Sequence, residues 1–322
     1  MKAAVYYETG APSVFRYEDV PDPACHPRGV VIDVKAIAIE GGDVLNRAGG
    51  EMPSKPHIVG YNAAGIVREV GAEVTDRKVG DRVTAMWANG SHAERFAVPS
   101  TATWVVPEGC SLEHAACVPV SWGTANDCLF EFGHLKAGET VLVQAGTSGV
   151  GIACVQLAHR AGARVIATSS SDEKLERLRG YGMDIGVNYA AGDFVDAVRK
   201  ATNGAGVDLV VDSVGGKTLE GSIGCAGYRG RVITVGNVSR QGKAIDISGL
   251  SGNNASITGV FFGIETFRGA ARVVPMLDAI LRDIAKGELK VVVDRTYPLS
   301  EAAAAHAYIE SRAAFGRVVL VP

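Results

Sequence analysis

The chain reads Thr140-Val-Leu-Val-Gln-Ala-Gly146-Thr-Ser148-Gly149-Val-Gly151 near its middle, and this stretch decides the fold. An apolar strand enters a glycine-rich turn, residues 152–158 continue as an apolar helix, and residues 163–168 form the next strand. Glycines let the backbone approach the pyrophosphate of a dinucleotide, and free amides at a helix N-terminus attract its negative charge. Serine stands where the usual G-x-G-x-x-G pattern has its second glycine. The stretch predicts a dinucleotide site, in preference to a plain strand–helix turn, with contacts from Gly146, Thr147, Ser148, Gly149, Val150 and Gly151.

The residue that closes the second strand indicates which dinucleotide is bound. An acidic side chain there accepts hydrogen bonds from an unmodified ribose and repels a 2′-phosphate. That position holds Ser169, and no carboxylate follows it before Asp172. Hydroxyl donors at Ser169 and Ser170 and a cation at Lys174 suit a phosphate group. The sequence therefore favours NADP(H) over NAD(H), while Ser171 and Lys174 also fit a plain helix cap and a solvated surface charge.

Composition and charge are those expected of a two-domain enzyme of the cytoplasm. The chain has 322 residues, 47% of them apolar, which is enough for two domains with cores of their own. Its net charge of −3 offers no basic field for nucleic acid, and no apolar stretch is long enough to span a bilayer. The six cysteines lack C-x-x-C spacing and indicate reduced, mostly buried thiols. We expect neither nucleic acid nor membrane as a partner.

The hydrophobic pattern changes along the chain. Short alternating runs such as 30–39 and 65–70 predict strands in the first third. From about residue 124 to 259, strands alternate with helices, which is typical of a doubly wound parallel sheet. An amphipathic helix follows through Val274, Leu277, Ile280, Leu281 and Ile284, before a final strand, helix and strand. We predict an α/β fold with a nucleotide-binding domain, 124–263, inserted into a first domain, 1–123 and 264–322. The predicted middle strands are 140–145, 165–168, 185–188, 208–212, 231–236 and 256–259.

Further motifs cover nearly the whole chain. They include Asp43-x-x-x-Arg47-x-Gly49, Gly60-x-x-x-x-Gly65, Val79-Gly-Asp81-Arg-Val83, Ala93-Glu94, Thr124-Ala125, Asn188-Tyr189, Asp212-Ser-Val-Gly215 and Ser311-Arg312 ahead of Gly316. Each is weak alone, but their order resembles the medium-chain dehydrogenase/reductase superfamily, in its zinc-independent, zeta-crystallin-like quinone oxidoreductase branch. The resemblance implies a GroES-like β-barrel catalytic domain, a Rossmann domain that binds NADP(H), a small carbonyl or quinone substrate, and a homodimer or homotetramer.

The resemblance also implies cofactor contacts beyond the glycine-rich turn. Thr124 is expected to open the helix between the domains, close to the nicotinamide phosphates. Tyr189 resembles the tyrosine near the adenosine and its 2′-phosphate, with packing as the alternative. Other predicted contacts stand at carboxyl ends of strands, where open α/β sheets bind ligands. The remaining predicted contacts are Ser213, Val214, Gly236, Asn237, Phe261, Phe262 and Arg317.

The zinc ligands of alcohol dehydrogenases in this superfamily are missing. By the flanking motifs, the first ligand position holds Glu40, and the third falls near Val120. The usual His-Glu pair is replaced by Tyr61-Asn62. Tyr61 and Val120 are poor zinc ligands, and residues 85–92 contain no cysteine lobe. We predict an enzyme without a metal.

Without a metal, alcohol oxidation lacks the usual means of lowering the hydroxyl pKa. Reduction of a conjugated carbonyl stays feasible, because hydride can pass from NADPH to an electron-poor carbon held close to it. The developing enolate then needs hydrogen-bond donors. We therefore predict an NADPH-dependent reductase of quinones or α,β-unsaturated carbonyls. A crystallin-like binding protein with little turnover and a metal-free NAD(P)-dependent alcohol dehydrogenase are the alternatives.

Four residues are predicted to be catalytic: Glu40, Asp43, Tyr61 and Asn62. Quinone reductases usually carry Asn-Tyr or Asn-Phe before the aspartate, whereas this chain has Gly41-Gly42. We expect the two glycines to make room beside the nicotinamide. Asn62 or Tyr61 is expected to donate a hydrogen bond to the substrate oxygen, with a satisfied turn amide as the alternative for Asn62. A site-lining carboxylate without a catalytic role is the alternative for Glu40.

Overall fold

The computed structural model describes residues 1–237, 239 and 244–322. The chain divides into two compact units. Unit 1 comprises Met1–Val120 and Gly269–Pro322, and unit 2 comprises Ser121–Arg268. Each unit has its own cluster of buried apolar side chains. Within the described ranges, no helix has the length and apolar character needed to cross a membrane.

The N-terminal part of unit 1 consists mainly of strands. Its elements are β1 (Lys2–Tyr6), β2 (Arg16–Asp19), β3 (Gly29–Ala38), α1 (Gly41–Gly49), β4 (His57–Ile58), β5 (Asn62–Val70), β6 (Arg82–Met86), β7 (Arg95–Pro99), β8 (Thr103–Val105) and α2 (Leu112–Ala116). Short 3-10 turns lie at Pro12–Val14 and Ser100–Ala102. β3 is rich in valine and isoleucine because it is buried along most of its length, between β5 on one side and β7 on the other.

Unit 2 alternates strands with helices. Helix α3 (Pro119–Asn126) and a π-helix at Asp127–Glu131 precede β9 (Thr140–Val143), α4 (Gly149–Arg160), β10 (Arg164–Ser169), α5 (Asp172–Arg179), β11 (Ile185–Asn188), α6 (Phe194–Ala201), β12 (Val207–Asp212), α7 (Lys217–Cys225), β13 (Ala226–Thr234), α8 (Gly249–Gly252), β14 (Ser256–Gly259) and α9 (Phe262–Arg268). The strand order is β11-β10-β9-β12-β13-β14, with parallel pairing throughout. The doubly wound parallel sheet is confirmed. The order reverses between β9 and β12, which is where such sheets bind ligands.

The C-terminal part of the chain completes unit 1. Its elements are α10 (Ala270–Ala285), β15 (Val293–Pro298), a 3-10 turn at Leu299–Glu301, α11 (Ala302–Glu310) and β16 (Arg317–Val321). β16 pairs antiparallel with β3, so a seven-stranded sheet runs β15-β16-β3-β5-β6-β8, with β7 also paired to β3. A separate three-stranded sheet has the order β2-β1-β4. This topology brings the last strand of the chain beside the end of β3.

Several bounds and positions differ from the sequence-based expectations. Thr124 lies inside α3 rather than at its start. β13 begins at Ala226, five residues before the predicted start, because Val207 pairs with Ala226 before the register shifts at an irregularity. The helix after Gly269 buries Leu277, Ile280, Leu281 and Ile284 as predicted, but Val273 is buried in place of Val274, which is 37% exposed. The differences amount to a few residues at a boundary or to one residue of a face.

Candidate active site

The glycine-rich turn of unit 2 is packed against its own backbone. A Cβ at Gly146 would lie 2.7 Å from the Ala167 Cβ, and one at Gly151 would lie 2.3 Å from the Ala145 carbonyl oxygen. Ala145 has a φ of 49°, in the left-handed region. Ser148 Oγ accepts a hydrogen bond from Gly151 N at 3.1 Å and caps α4. The unusual serine of the motif is therefore the residue that begins the helix.

The end of β10 carries the residues expected to select the cofactor. Ser169 is buried at the end of the strand, and Ser170 beside it is exposed. Ser171 Oγ accepts a hydrogen bond from Lys174 N at 3.3 Å, so Ser171 caps α5. Tyr189 N donates to the Ser169 carbonyl at 3.0 Å, and the Tyr189 side chain is 44% exposed rather than packed in the core. The backbone thus brings Ser169, Ser170 and Tyr189 together at one edge of the sheet.

The loops after β12 and β13 meet at the same edge. Asp212 Oδ1 accepts hydrogen bonds from Val214 N and Gly215 N, each at 2.8 Å. Gly215 has a φ of 75°, and a Cβ there would lie 2.7 Å from Asn237 Oδ1. Four of the predicted contacts are brought together here: Ser213, Val214, Gly236 and Asn237.

The remaining predicted contacts of unit 2 are less accessible, with one exception. Thr124 is buried in α3. Phe262 is buried too, and its ring packs where Gly123 has no side chain: a Cβ at Gly123 would lie 2.1 Å from the ring. Phe261, by contrast, is 70% exposed. Their contacts with a cofactor stay predictions.

In unit 1, three of the residues discussed above form one buried polar network. The Arg317 guanidinium forms an ion pair with the Glu40 carboxylate and donates to the Ile39 carbonyl at 2.9 Å. Asn62 Nδ2 donates to Glu40 Oε1 at 3.2 Å. Glu40 is 3% exposed, Asn62 0% and Arg317 8%. Because a buried charge is tolerated only when it is paired, the ion pair accounts for both charges.

This network changes the roles expected for two residues. Arg317 was placed among the cofactor contacts, but its guanidinium is directed to Glu40, since a buried carboxylate requires a cation beside it. Asn62 is not a turn amide: it opens β5 and bonds to Glu40. The sequence signal was a glutamate where a metal ligand is expected, and it did not indicate the partner 277 residues away.

Asp43 holds the start of α1. Its Oδ2 accepts a hydrogen bond from Glu40 N at 2.8 Å, which closes a capping box between the two residues. Asp43 is fully buried, and this burial raises the pKa of its carboxyl well above the usual range. Burial also raises the pKa of Glu40, although the Arg317 charge opposes it. The contacts of Asp43 are thus those of a helix cap.

Tyr61 is the partly exposed member of the four predicted catalytic residues. A Cβ at Gly42 would lie 2.5 Å from Tyr61 Oη, whereas a Cβ at Gly41 would meet nothing within 4 Å. The expectation that both glycines leave room is therefore wrong for Gly42, because the Tyr61 ring fills the space. Burial, followed by the nearby Asp43 and Glu40 carboxyls, raises the pKa of the Tyr61 phenol well above its usual value. The phenol stays protonated and can donate a hydrogen bond.

Two histidines that the sequence did not connect lie next to the backbone just before Tyr61. His92 Nε2 and His306 Nε2 are 3.1 Å apart, and both rings are fully buried. One nitrogen donates and the other accepts, an arrangement that two neutral imidazoles can form. Burial lowers the pKa of His92 to about 3, and burial, His92 and Arg47 lower that of His306 well below its usual value. Gly60 packs directly on His92, so the pair supports the backbone that leads into Tyr61.

No cluster of three or more His, Cys, Asp or Glu side chains suited to a metal is found among residues 1–237, 239 and 244–322. Glu40 and Asp43 are joined by a capping box, and the paired histidines contact each other. The Arg317 guanidinium is bound to Glu40.

Comparison with known proteins identifies the family. The model of the alcohol dehydrogenase GroES-like domain matches residues 26–122, and that of the zinc-binding dehydrogenase matches residues 149–275. A 2-haloacrylate reductase from Burkholderia is 34% identical over 99% of this chain and 98% of that protein. A quinone oxidoreductase from Pseudomonas aeruginosa is 31% identical over 97% of each. The crystal structure of Escherichia coli quinone oxidoreductase complexed with NADPH has a TM-score of 0.94 and 28% identity, with full coverage of both chains.

The chain belongs to the medium-chain dehydrogenase/reductase superfamily, in its quinone oxidoreductase branch. The predicted fold class is confirmed: a GroES-like domain accompanies a Rossmann-type parallel sheet. The match to the zinc-binding dehydrogenase model begins at residue 149. Glu40, Tyr61 and Asn62 lie instead within residues 26–122, which match the GroES-like domain model.

Proposed function

We propose that this chain is an NADPH-dependent, zinc-independent oxidoreductase that reduces quinones or α,β-unsaturated carbonyls. The observation that carries the proposal is the arrangement around Tyr61: a partly exposed tyrosine with a protonated phenol, next to an ion pair of Glu40 and Arg317. We further propose that residues 124–263 act as the cofactor-binding domain and residues 1–123 with 264–322 as the catalytic domain. The two named relatives act, by their names, on a 2-haloacrylate and on quinones. Both are substrates with an electron-poor carbon conjugated to a carbonyl.

The cofactor proposal rests on the carboxyl edge of the unit 2 sheet. The left-handed Ala145 and the capped start of α4 provide a turn that a pyrophosphate fits, since helix amides attract anions. Ser170 is exposed next to Ser169, and neither is acidic, so the donor set suits a 2′-phosphate. When bound, the nicotinamide supplies the hydride for reduction. The chain itself supplies the hydrogen-bond donors and holds the cofactor in place.

Tyr61 is the proposed donor to the substrate oxygen. Asn62, the other candidate, is fully buried and already donates to Glu40. A phenol with a raised pKa keeps its proton near neutral pH and stabilises negative charge that develops on a carbonyl oxygen. The nearby carboxyls of Glu40 and Asp43 both keep that pKa high. We propose that Glu40, paired with Arg317, and Asp43, which caps α1, position Tyr61 and do not bind substrate.

Turnover with a panel of quinones, enones and 2-chloroacrylate in the presence of a strong chelator tests the proposal. NADPH consumption that needs both substrate and enzyme, and that survives chelation, is expected. Tyr61→Phe should lower kcat by about tenfold to a thousandfold with little change in the Kd of NADPH, because one hydrogen-bond donor is lost. An unchanged kcat would remove Tyr61 from this role.

The two glycines before Asp43 provide a matched control for the position of Tyr61. Gly42→Ala forces the Tyr61 ring to move, so kcat should fall by about tenfold, as when a donor is misplaced. Gly41→Ala places the same methyl group one residue away, where it meets no other protein atom, so the Tyr61 ring stays in place and kcat should fall less than in Gly42→Ala. Equal effects of the two substitutions would contradict the proposed geometry.

A binding protein with little turnover is the second candidate. Three of the four residues first expected to be catalytic are buried: Glu40, Asp43 and Asn62. If they serve only to hold the fold, the chain would bind NADPH and reduce nothing efficiently. NADPH binding without turnover on any member of the panel would favour this candidate.

A further inference from the structure

A continuous chain of buried hydrogen bonds joins the predicted cofactor-binding loops of unit 2. Ala145 N donates to Thr168 Oγ1 at 3.2 Å, and Thr168 Oγ1 donates to Gln144 Oε1 at 2.7 Å. On the other side, Gln144 Nε2 donates to Ser222 Oγ at 3.0 Å, and Ser222 Oγ donates to Asp212 Oδ2 at 2.7 Å. The four side chains are buried. They come from the ends of three adjacent strands, β10, β9 and β12, and from helix α7.

The direction of every bond in this chain follows from chemistry. Asp212 Oδ2 is an acceptor, so the Ser222 hydroxyl must donate to it and accept from its other neighbour. That neighbour must therefore be the amide nitrogen of Gln144, which turns the amide oxygen toward Thr168. A flipped Gln144 amide would place two acceptors together at Ser222. Each group thus has one arrangement, which makes the chain rigid.

The two ends of the chain are the two loops expected to hold the cofactor. At one end, Thr168 Oγ1 holds the amide of Ala145, the residue whose left-handed backbone opens the glycine-rich turn. At the other end, Asp212 Oδ1 accepts from Val214 N and Gly215 N and shapes the loop after β12. Gln144 lies between these two ends and bridges them. It does so beside β9 and β12, where the strand order reverses.

We infer that Gln144 is a positioning residue that couples the glycine-rich turn to the loop after β12, so that both hold one NADPH molecule in register. This inference rests on the cofactor binding proposed above. The Gln144 side chain bonds to Thr168 and Ser222, and it acts on the two loops through them. A ligand that spans both loops depends on the coupling, whereas a ligand held at one loop depends on it much less.

The test compares two ligands. Gln144→Leu keeps the size of the side chain and removes both of its hydrogen bonds. The Kd of NADPH should rise about tenfold, as for contacts in one hydrogen-bond network, while the Kd of 2′,5′-ADP, which lacks the nicotinamide half, should change less than about twofold. Gln156→Leu is the matched control, because Gln156 is also a buried glutamine of unit 2 but donates within α4, to Ile152. It should leave both Kd values unchanged.

Two further variants keep the inference testable if Gln144→Leu fails to fold. Thr168→Val and Ser222→Ala break the same chain on either side of Gln144, and each should raise the Kd of NADPH. In a continuous chain their effects are not additive. The Kd of NADPH for the double variant should therefore be little higher than the larger of the two single-variant Kd values. Additive effects, or equal losses for NADPH and 2′,5′-ADP, would overturn the coupling. A wild-type chain that binds neither ligand would instead overturn the cofactor proposal and the coupling with it.

Discussion

Replacement of Arg317 by methionine would leave the Glu40 carboxylate buried without its cation. The pair lies almost entirely out of solvent, with side chains 10% and 4% exposed, and Arg317 also donates to the Ile39 carbonyl. Removing one partner of a buried ion pair costs about 3–5 kcal/mol, because the other charge stays buried and unpaired. Arg317→Met should therefore lower the free energy of unfolding of unit 1 by that amount near neutral pH. Glu40→Gln with Arg317→Met removes both charges and should cost much less.

The pH dependence distinguishes an unpaired charge from lost packing. In Arg317→Met the folded-state pKa of Glu40 lies above its unfolded value, because burial already raises it and the opposing cation is gone. The folded state then binds more protons than the unfolded state, so stability increases as the pH falls toward the unfolded pKa of about 4.3. The increase relative to the double variant approaches about 1.4 kcal/mol per pH unit. The double variant has no such carboxyl and serves as the reference.

Urea unfolding, combined with hydrogen exchange of peptides from β3 and β16, measures both effects. The two strands pair with each other beside the ion pair, so their exchange reports on unit 1. We expect Arg317→Met to regain stability relative to the double variant between about pH 7 and pH 5. Parallel pH profiles for the two variants would refute the idea that Glu40 is held as a buried charge.

Two other predictions concern different parts of the chain. His92 and His306 have folded-state pKa values below the unfolded value, so the unfolded state binds more protons and stability is lost as the pH falls below about 6.5, by up to about 1.4 kcal/mol per pH unit for each histidine. Urea unfolding from pH 7 to pH 5 checks this, and a His306→Phe variant that keeps the full slope would contradict it. Lys174→Ala should weaken binding of NADPH by about 1–2 kcal/mol more than binding of NADH, because a phosphate contact is lost. Ser169→Asp should shift the preference toward NADH; titration of both cofactors measures the two effects, and equal losses for NADPH and NADH would dismiss the phosphate contact.

Features that depend on neighbouring residues in the chain could be predicted from the sequence. The glycine-rich turn, the alternation of strands and helices, and the cap at Ser171 involve groups a few residues apart. Glycine conformations and helix caps are local properties, so the residue types suffice to predict them. The strands Ile185–Asn188 and Ser256–Gly259 have the predicted bounds.

Features that depend on distant pairing could not be predicted in this way. Arg317 and Glu40 are 277 residues apart and meet because β16 pairs with β3. The space above Gly42 is filled by Tyr61, which lies just before another strand. Gln144 gains its partners from β10 and α7. Periodicity indicates which face of a strand is buried, but not which side chain of another strand it meets.

The most direct test of the proposed function follows deuterium from the cofactor into the product. NADPH deuterated at the transferring position of nicotinamide C4 is mixed with the chain and an enone under exhaustive chelation, and the product is analysed by mass spectrometry and NMR. We expect one deuterium per product molecule at the carbon β to the carbonyl, with one NADPH consumed per product. Absence of deuterium from the enone product while NADPH is consumed, or activity that disappears with the chelator and returns with zinc, would contradict a metal-free reductase.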